Sequence, residues 1–413
     1  MIKMRSRMVF LLSVLLPVLA QGQTELPEGD GMELIQGACV ACHEVNLITN
    51  STGYTHERWE YVVSTMMELP EPLSSDITQY LASNFPETYD RRPTLVDGDL
   101  EVTFQEWAVP TLGQRPRDPL QTPDGMIWWA GMYGSLVGRL DPRTGEMTEF
   151  VLDPMARPHS IINDVSGNIW YTGNSNATIG MIDADTGEIT EYPMPDPAAR
   201  DPHTPIFTRS GDLWFTLQNS NMIGRLVVDT GDVRLATMPT ENARPYGIKE
   251  DSRGMIWIAN RGSNQITSID PDSWEFQEYE TPGPPPGVRY GAYIRRLAIT
   301  SDDMIWYADS GRGYLGRLDP STGEVREWPS PSGPQSHPYA IEVVNDKIWY
   351  NESFQRPDAL VRFDPETEQF QSWAVPSGIG IIRHMRATPD GNLVIHQSST
   401  NTVGLVIIPK SES

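Results

Sequence analysis

Cysteine is nearly absent from this chain: 413 residues hold two. Both lie in one stretch, Cys39-Val40-Ala41-Cys42-His43. That leaves no framework of several disulfides and no four-cysteine zinc site. Positive charge is scarce as well. Lys and Arg total 31 against 55 Asp and Glu, for a formal net charge of −24. So acidic a surface argues against nucleic acid and anionic membranes as partners. Long hydrophobic runs are also missing. The longest, residues 9–20, is broken by Ser13 and Pro17 and is short of the about 20 apolar residues that cross a bilayer. With Lys3, Arg5 and Arg7 before it and Val18-Leu19-Ala20 at its end, residues 1–23 read as a signal peptide. The mature chain is therefore expected in the periplasm or another extracytoplasmic space, with no membrane span once the signal is removed.

C-x-x-C-H is the attachment pattern of c-type haem. Each thiol can add to a porphyrin vinyl group, and the following imidazole of His43 can then bind iron. The rival reading of C-x-x-C is a thiol redox motif. His43 in register, the lack of other cysteines and the export signal favour one covalently bound haem.

Residues 24–86 read as a small helical domain. Met32-Glu33-Leu34-Ile35 leads into the cysteine motif as a short helix. The spacing predicts a second helix over 55–68, capped by Thr55, with Trp59, Val62, Val63 and Met66 on one face. A third is expected over 75–85, with Ile77, Tyr80, Leu81 and Phe85 on its inner face and Pro86 as its stop. This segment resembles a class I cytochrome c. The resemblance implies a second axial ligand from a downstream methionine, for which Met66 matches best. Met67 is the alternative and His56 a weaker rival. Polar residues 87–100 read as a linker.

From 101 to 409 the chain repeats about every 43 residues. The marker is a tryptophan behind a Gly or Asp turn: Trp128, Trp170, Trp214, Trp257, Trp306 and Trp349, with Val394 in a seventh copy. Each copy continues with a strand like Val137-Gly138-Arg139-Leu140-Asp141, a Gly turn, and a strand ending like Glu149-Phe150. Four short strands per 40–45 residues form a β-propeller blade, so the expected fold is multidomain, a small all-α domain followed by an all-β seven-bladed propeller. The last copy lacks an outer strand. An unclaimed one, 104–110, precedes the first and is expected to close the ring.

The innermost strand of each blade borders the axis. One position per copy gives a ring of Arg117, His159, His203, Tyr246, Arg295, Tyr339 and Arg383. In a chain this acidic, such a cluster points to an anionic small-molecule ligand, because Arg grips carboxylates with two parallel hydrogen bonds. Residues just past each marker, Gln218, Asn260, Asp309, Glu352 and His396, are expected at the same mouth. Asp309 or Glu352 can act there as a base or hold a metal with nearby histidines.

The elements P-H/Y-x-I, D/G-x-I/L-W and I-G-R-L-D give residues 101–409 a resemblance to the virginiamycin B (streptogramin) lyase propeller. That resemblance implies ester opening by elimination, using a P-H histidine and glutamates beside magnesium. Pro158-His159 and Pro202-His203 match the histidine element, and Asp201 can serve as the acid before His203. Gln218 and Asn174 stand where a glutamate is expected, and Glu352 belongs to a blade with Tyr339 in place of histidine. The candidate catalytic set is His203, Glu352 and Asp309. Three functions follow: haem-based electron transfer to a redox partner protein with the propeller as binding platform, a lyase with accessory haem for which the resemblance implies magnesium, or a non-enzymatic interaction module.

Overall fold

A computed structural model describes residues 25–40, 44–49, 51, 54–87, 90–284 and 293–410. Cys42, His43 and the signal segment lie outside the described residues. The chain divides into two compact units, Met1–Glu60 with Leu69–Tyr89, and Tyr61–Glu68 with Asp90–Ser413.

Four short helices occupy the N-terminal region: α1 (Met32–Ala38), α2 (Val45–Thr49), α3 (His56–Ser64) and α4 (Leu73–Asn84). The expected helix over 55–68 is shorter, because the chain leaves helical geometry after Ser64. Its cap is present: the Thr55 hydroxyl accepts the Arg58 amide at 3.3 Å. α2 had no sequence counterpart. Gly31 is needed where α1 meets α4, since a Cβ there would lie 3.0 Å from Tyr80 Cβ. Ile35, Trp59, Ile77, Tyr80, Leu81 and Phe85 are buried, and Trp59 donates its indole N–H to Phe85 O at 3.3 Å. The helical face expected to include Met66 stops at Val63; Met66 is 37% exposed and belongs to no buried core.

The second unit contains seven four-stranded antiparallel sheets. Six are built from consecutive strands. In the seventh the outer strand is Thr103–Ala108, hydrogen-bonded to Thr402–Ile407 from Thr103 opposite Ile407 to Ala108 opposite Thr402. The N-terminal strand thus locks the ring and removes the free edge. Part of the polar stretch before it lies on the propeller. Val96 O accepts the Ser372 amide at 2.9 Å, and Leu100 O accepts the Gln371 side-chain amide at 2.7 Å.

The repeat motif has a packing explanation. The marker tryptophans are buried, and most stack on the outer-strand aromatic of their own blade: Trp128 on Phe150 at 5.5 Å, Trp170 on Tyr192 at 5.6 Å, Trp349 on Trp373 at 5.5 Å. The motif arginine lies over the same rings, with Arg139 Cζ 5.5 Å from the Trp128 centroid. The motif glycine makes room for the aromatic after the marker. A Cβ on Gly224 would lie 2.3 Å from the Phe215 ring, and one on Gly138 would lie 2.0 Å from that of Trp129. Adjacent blades share cores, as where Trp128, Ala130 and Val137 meet Ile161, Ile169 and Tyr171.

Candidate anion-binding site in the propeller channel

Inner strands begin with proline in five blades, as in Pro158–Asn163 and Pro202–Phe207. Proline fits the first position of a strand, where no N–H is required. The residue before each is in left-handed geometry: Arg115, Arg157, Asp201, Arg244 and His337 have φ between 41° and 60°. This turn followed by a fixed φ aims the residue after proline at the axis. A bulge follows in six of the seven inner strands, for example between Pro202 and Pro205.

All seven ring residues line one cavity of about 230 Å³, together with Asn174, Asp201, Gln218, Asn219 and Arg261. The His159 and His203 rings stack at 3.5 Å, and His203 lies 4.1 Å from the Tyr246 ring. Tyr246 and Tyr339 share a hydrogen bond of 2.5 Å between their hydroxyls. Arg295 Cζ lies 4.5 Å from the Tyr339 ring centroid and Arg383 Cζ 5.8 Å.

Charge is unbalanced in this cavity. Arg117, Arg261, Arg295 and Arg383 make no ion pair with a carboxylate among the described residues. The Nε atoms of Arg117, Arg261 and Arg383 are buried without a hydrogen-bond partner. Both histidines are held neutral. Burial lowers their pKa well below the usual value, and Arg117 and Arg296 lower it further. Burial would raise the Tyr339 pKa, but Arg295, Arg383 and Arg117 outweigh it and bring the phenol well below its ordinary value. The Tyr246 pKa is raised, first by burial and then by Tyr339. Of the two hydroxyls, that of Tyr339 is the more acidic. Asp201 is raised by burial, although Asn219 N at 2.7 Å and Ser220 donate to it.

The residues expected past the markers divide by position. Gln218, four after Trp214, lines the cavity, as do Asn174 and Arg261 at the equivalent places. Asn260, Asp309 and Glu352, three after their markers, are fully buried elsewhere. One residue of offset reverses the face of a strand, so these side chains point away from the axis. Asn260 donates to Thr267 Oγ1 at 2.6 Å. Asp309 accepts Tyr293 N at 3.0 Å and Arg312 Nε at 2.6 Å, fixing a loop. Glu352 accepts Ser330 Oγ at 2.6 Å and Ser332 N at 2.8 Å. His396 accepts the amides of Arg383 at 3.1 Å and His384 at 3.2 Å, and burial lowers its pKa to about 3. Asp309 and Glu352 thus do not share the cavity with His203, and the expectation that they act there is corrected. No group of three or more His, Cys, Asp or Glu among the described residues can hold a metal ion. A cavity lined by four guanidinium groups does not fit magnesium.

A second layer lies one residue deeper. Asp118 is fully buried and takes both oxygens to Arg296 Nη2, at 3.1 and 3.0 Å. It also accepts from Ser160 and lies 3.2 Å from His384 Nδ1. This buried pair lies against the cavity wall, with Arg296 Cζ 5.3 Å from the Tyr246 ring.

Comparison with known proteins agrees with the architecture. The Virginiamycin B lyase family model matches residues 99–286. The structure of virginiamycin B lyase from Staphylococcus aureus superposes with a TM-score of 0.67 at 22% identity, over 75% of this chain and 100% of that one. A streptogramin B lyase structure gives 0.66 at 23%, over 75% and 98%. The WD40 propeller of Doa1 gives 0.59 at 14%, over 75% and 99%. The propeller is virginiamycin B lyase-like. At these identities the likeness concerns the fold. No curated protein matches the chain in sequence.

In the helical region, Cys39 is the residue after α1, half-buried, with its amide bonded to Ile35 O at 2.9 Å.

Proposed function

We propose that this chain is an exported c-type haem protein whose propeller cavity binds a small anionic molecule, and that the two parts serve an oxidoreductase system ending in a redox partner protein. Cys39 and Cys42 would hold the haem covalently, and His43 and Met66 would bind its iron. When bound, the group supplies one-electron transfer. The propeller's part is recognition. One observation carries that role: four guanidinium groups, that of Arg117 buried and those of Arg261, Arg295 and Arg383 half-buried, line one cavity without a carboxylate partner among the described residues. Buried charge is costly unless compensated, so such a site favours an anion.

The test is anaerobic incubation of the oxidised protein with organic acids, following haem absorbance. Reduction by an acid, two protein molecules each taking one electron per molecule of acid oxidised, slowed at least tenfold in Arg295→Gln, supports the reading. A panel that never reduces the haem, with binding and reduction also indifferent to Arg295→Gln, overturns it. The rival is elimination chemistry, which the likeness to streptogramin lyases motivates. It requires cleavage of a cyclic ester that depends on magnesium and not on haem oxidation state. The Gln218 and Asn174 side chains cannot act as bases, which weighs against it.

A further inference from the structure

The cavity's charge can be counted. Arg261 and Arg295 come from consecutive blades, as do Arg383 and Arg117 across the closure, and Tyr339 stands on the blade between these two pairs. Opposite them lie His159, His203, Asn174 and Gln218, which offer hydrogen bonds without net charge. Four guanidinium charges therefore meet at most two anionic groups, the Tyr339 oxygen and Asp201. At least two positive charges are left over.

Size restricts the partner as well. At about 230 Å³ the cavity is many times the roughly 10–15 Å³ needed to admit one water. A single sulfate or phosphate would fill a small part of it. The rings of His159, His203, Tyr246 and Tyr339 suit an organic skeleton between the charged ends.

Resting on the reading of the cavity as an anion site, we infer that its ligand is a small dicarboxylate or tricarboxylate, with one carboxylate taken by Arg261 and Arg295 and another by Arg383 and Arg117. A planar fork on each side matches a carboxylate with two parallel hydrogen bonds. The buried Nε atoms of Arg117, Arg261 and Arg383 gain partners in the same event. The neutral histidine side then holds hydroxyl or carbonyl groups of the skeleton.

The experiment is calorimetric titration of the full-length exported protein at constant ionic strength with succinate, citrate, acetate and sulfate. At least one of succinate and citrate should bind at least tenfold more tightly than acetate and sulfate. Arg295→Gln and Arg383→Gln should each weaken that polycarboxylate at least tenfold while changing acetate less than threefold, because the other pair still holds one carboxylate. Arg295→Lys, which keeps the charge and loses the fork, should fall between wild type and Arg295→Gln. An unchanged circular dichroism spectrum and melting temperature certify each variant as folded.

Acetate or sulfate binding as tightly as both polycarboxylates overturns the inference, as does the absence of binding by either polycarboxylate. These failures are separable from failure of the proposed function. Haem reduction by a monoanion, lost in Arg295→Gln, would leave that function standing while removing the polycarboxylate.

Discussion

Asp118→Asn tests the buried pair against the cavity wall. Asp118 is fully buried and is the ion-pair partner of Arg296, with Ser160 and His384 as further neighbours. The Arg296 pKa is raised: burial opposes this, but Asp118 outweighs it. Asparagine keeps the shape and removes the charge, leaving a buried guanidinium uncompensated. Removing one partner of such a pair costs about 3–5 kcal/mol. For a propeller of roughly 300 residues the unfolding entropy is about 0.6 kcal/mol/K, so the melting temperature should fall by about 5–8 °C. The assay is thermal unfolding followed by circular dichroism at pH 7.5. The double variant Asp118→Asn with Arg296→Met should recover most of the loss, because replacing both partners is near neutral. The reasoning is refuted if the single variant melts within 2 °C of wild type, or if the double variant is less stable than the single.

Acid should destabilise the propeller above the carboxylate range. His159, His203, His337, His384 and His396 all have lowered pKa values through burial, so below about pH 6.5 the unfolded chain binds protons that the folded one refuses. Stability is then fullest above pH 6.5 and falls with pH by up to about 1.4 kcal/mol per unit for each histidine; a urea midpoint at pH 5.5 equal to or above that at pH 7.5 would contradict this. Gly224→Ala should cost about 1–3 kcal/mol by forcing a Cβ into Phe215, as measured by urea unfolding, with Phe215→Leu relieving the loss. Tyr339 faces Arg295, Arg383, Arg117, Tyr246 and His337, and its lowered pKa predicts that one phenolate band develops ahead of the other tyrosines as pH rises and is absent in Tyr339→Phe. A spectrophotometric titration in which wild type and Tyr339→Phe differ by no early-ionising tyrosine would refute the charge assignment.

The blade repeat was legible because packing writes it into the sequence. A tryptophan, an arginine over it, a glycine beneath the next aromatic and an outer aromatic recur together, since each makes room for or covers another. The closing strand was legible because the last copy lacked a partner and 104–110 had none. The ring at Arg117, His159, His203, Tyr246, Arg295, Tyr339 and Arg383 was found by counting back from the marker, which works where inner strands have equal length. What escaped was local. Asp118 and Arg296 lie in the bulges of their inner strands, where two successive residues can turn the same way, which alternation does not anticipate; His384 precedes a short inner strand that has no bulge. The adjacent pairs Arg117-Asp118, Arg295-Arg296 and Arg383-His384 at one offset were the available signal. Asp309 and Glu352 were misplaced by one residue of strand register, and Arg261 was missed for the same reason. α2 was missed because five residues are too few to show a helical period.

The covalent attachment at Cys39 and Cys42 is the central claim, and acidified-acetone extraction of the exported protein tests it most directly. The account predicts that the Soret band stays with the polypeptide in wild type, and that the Cys39→Ala, Cys42→Ala double variant either loses its pigment to the solvent or carries none. Wild-type protein that surrenders its pigment, or never shows a Soret band, would contradict it.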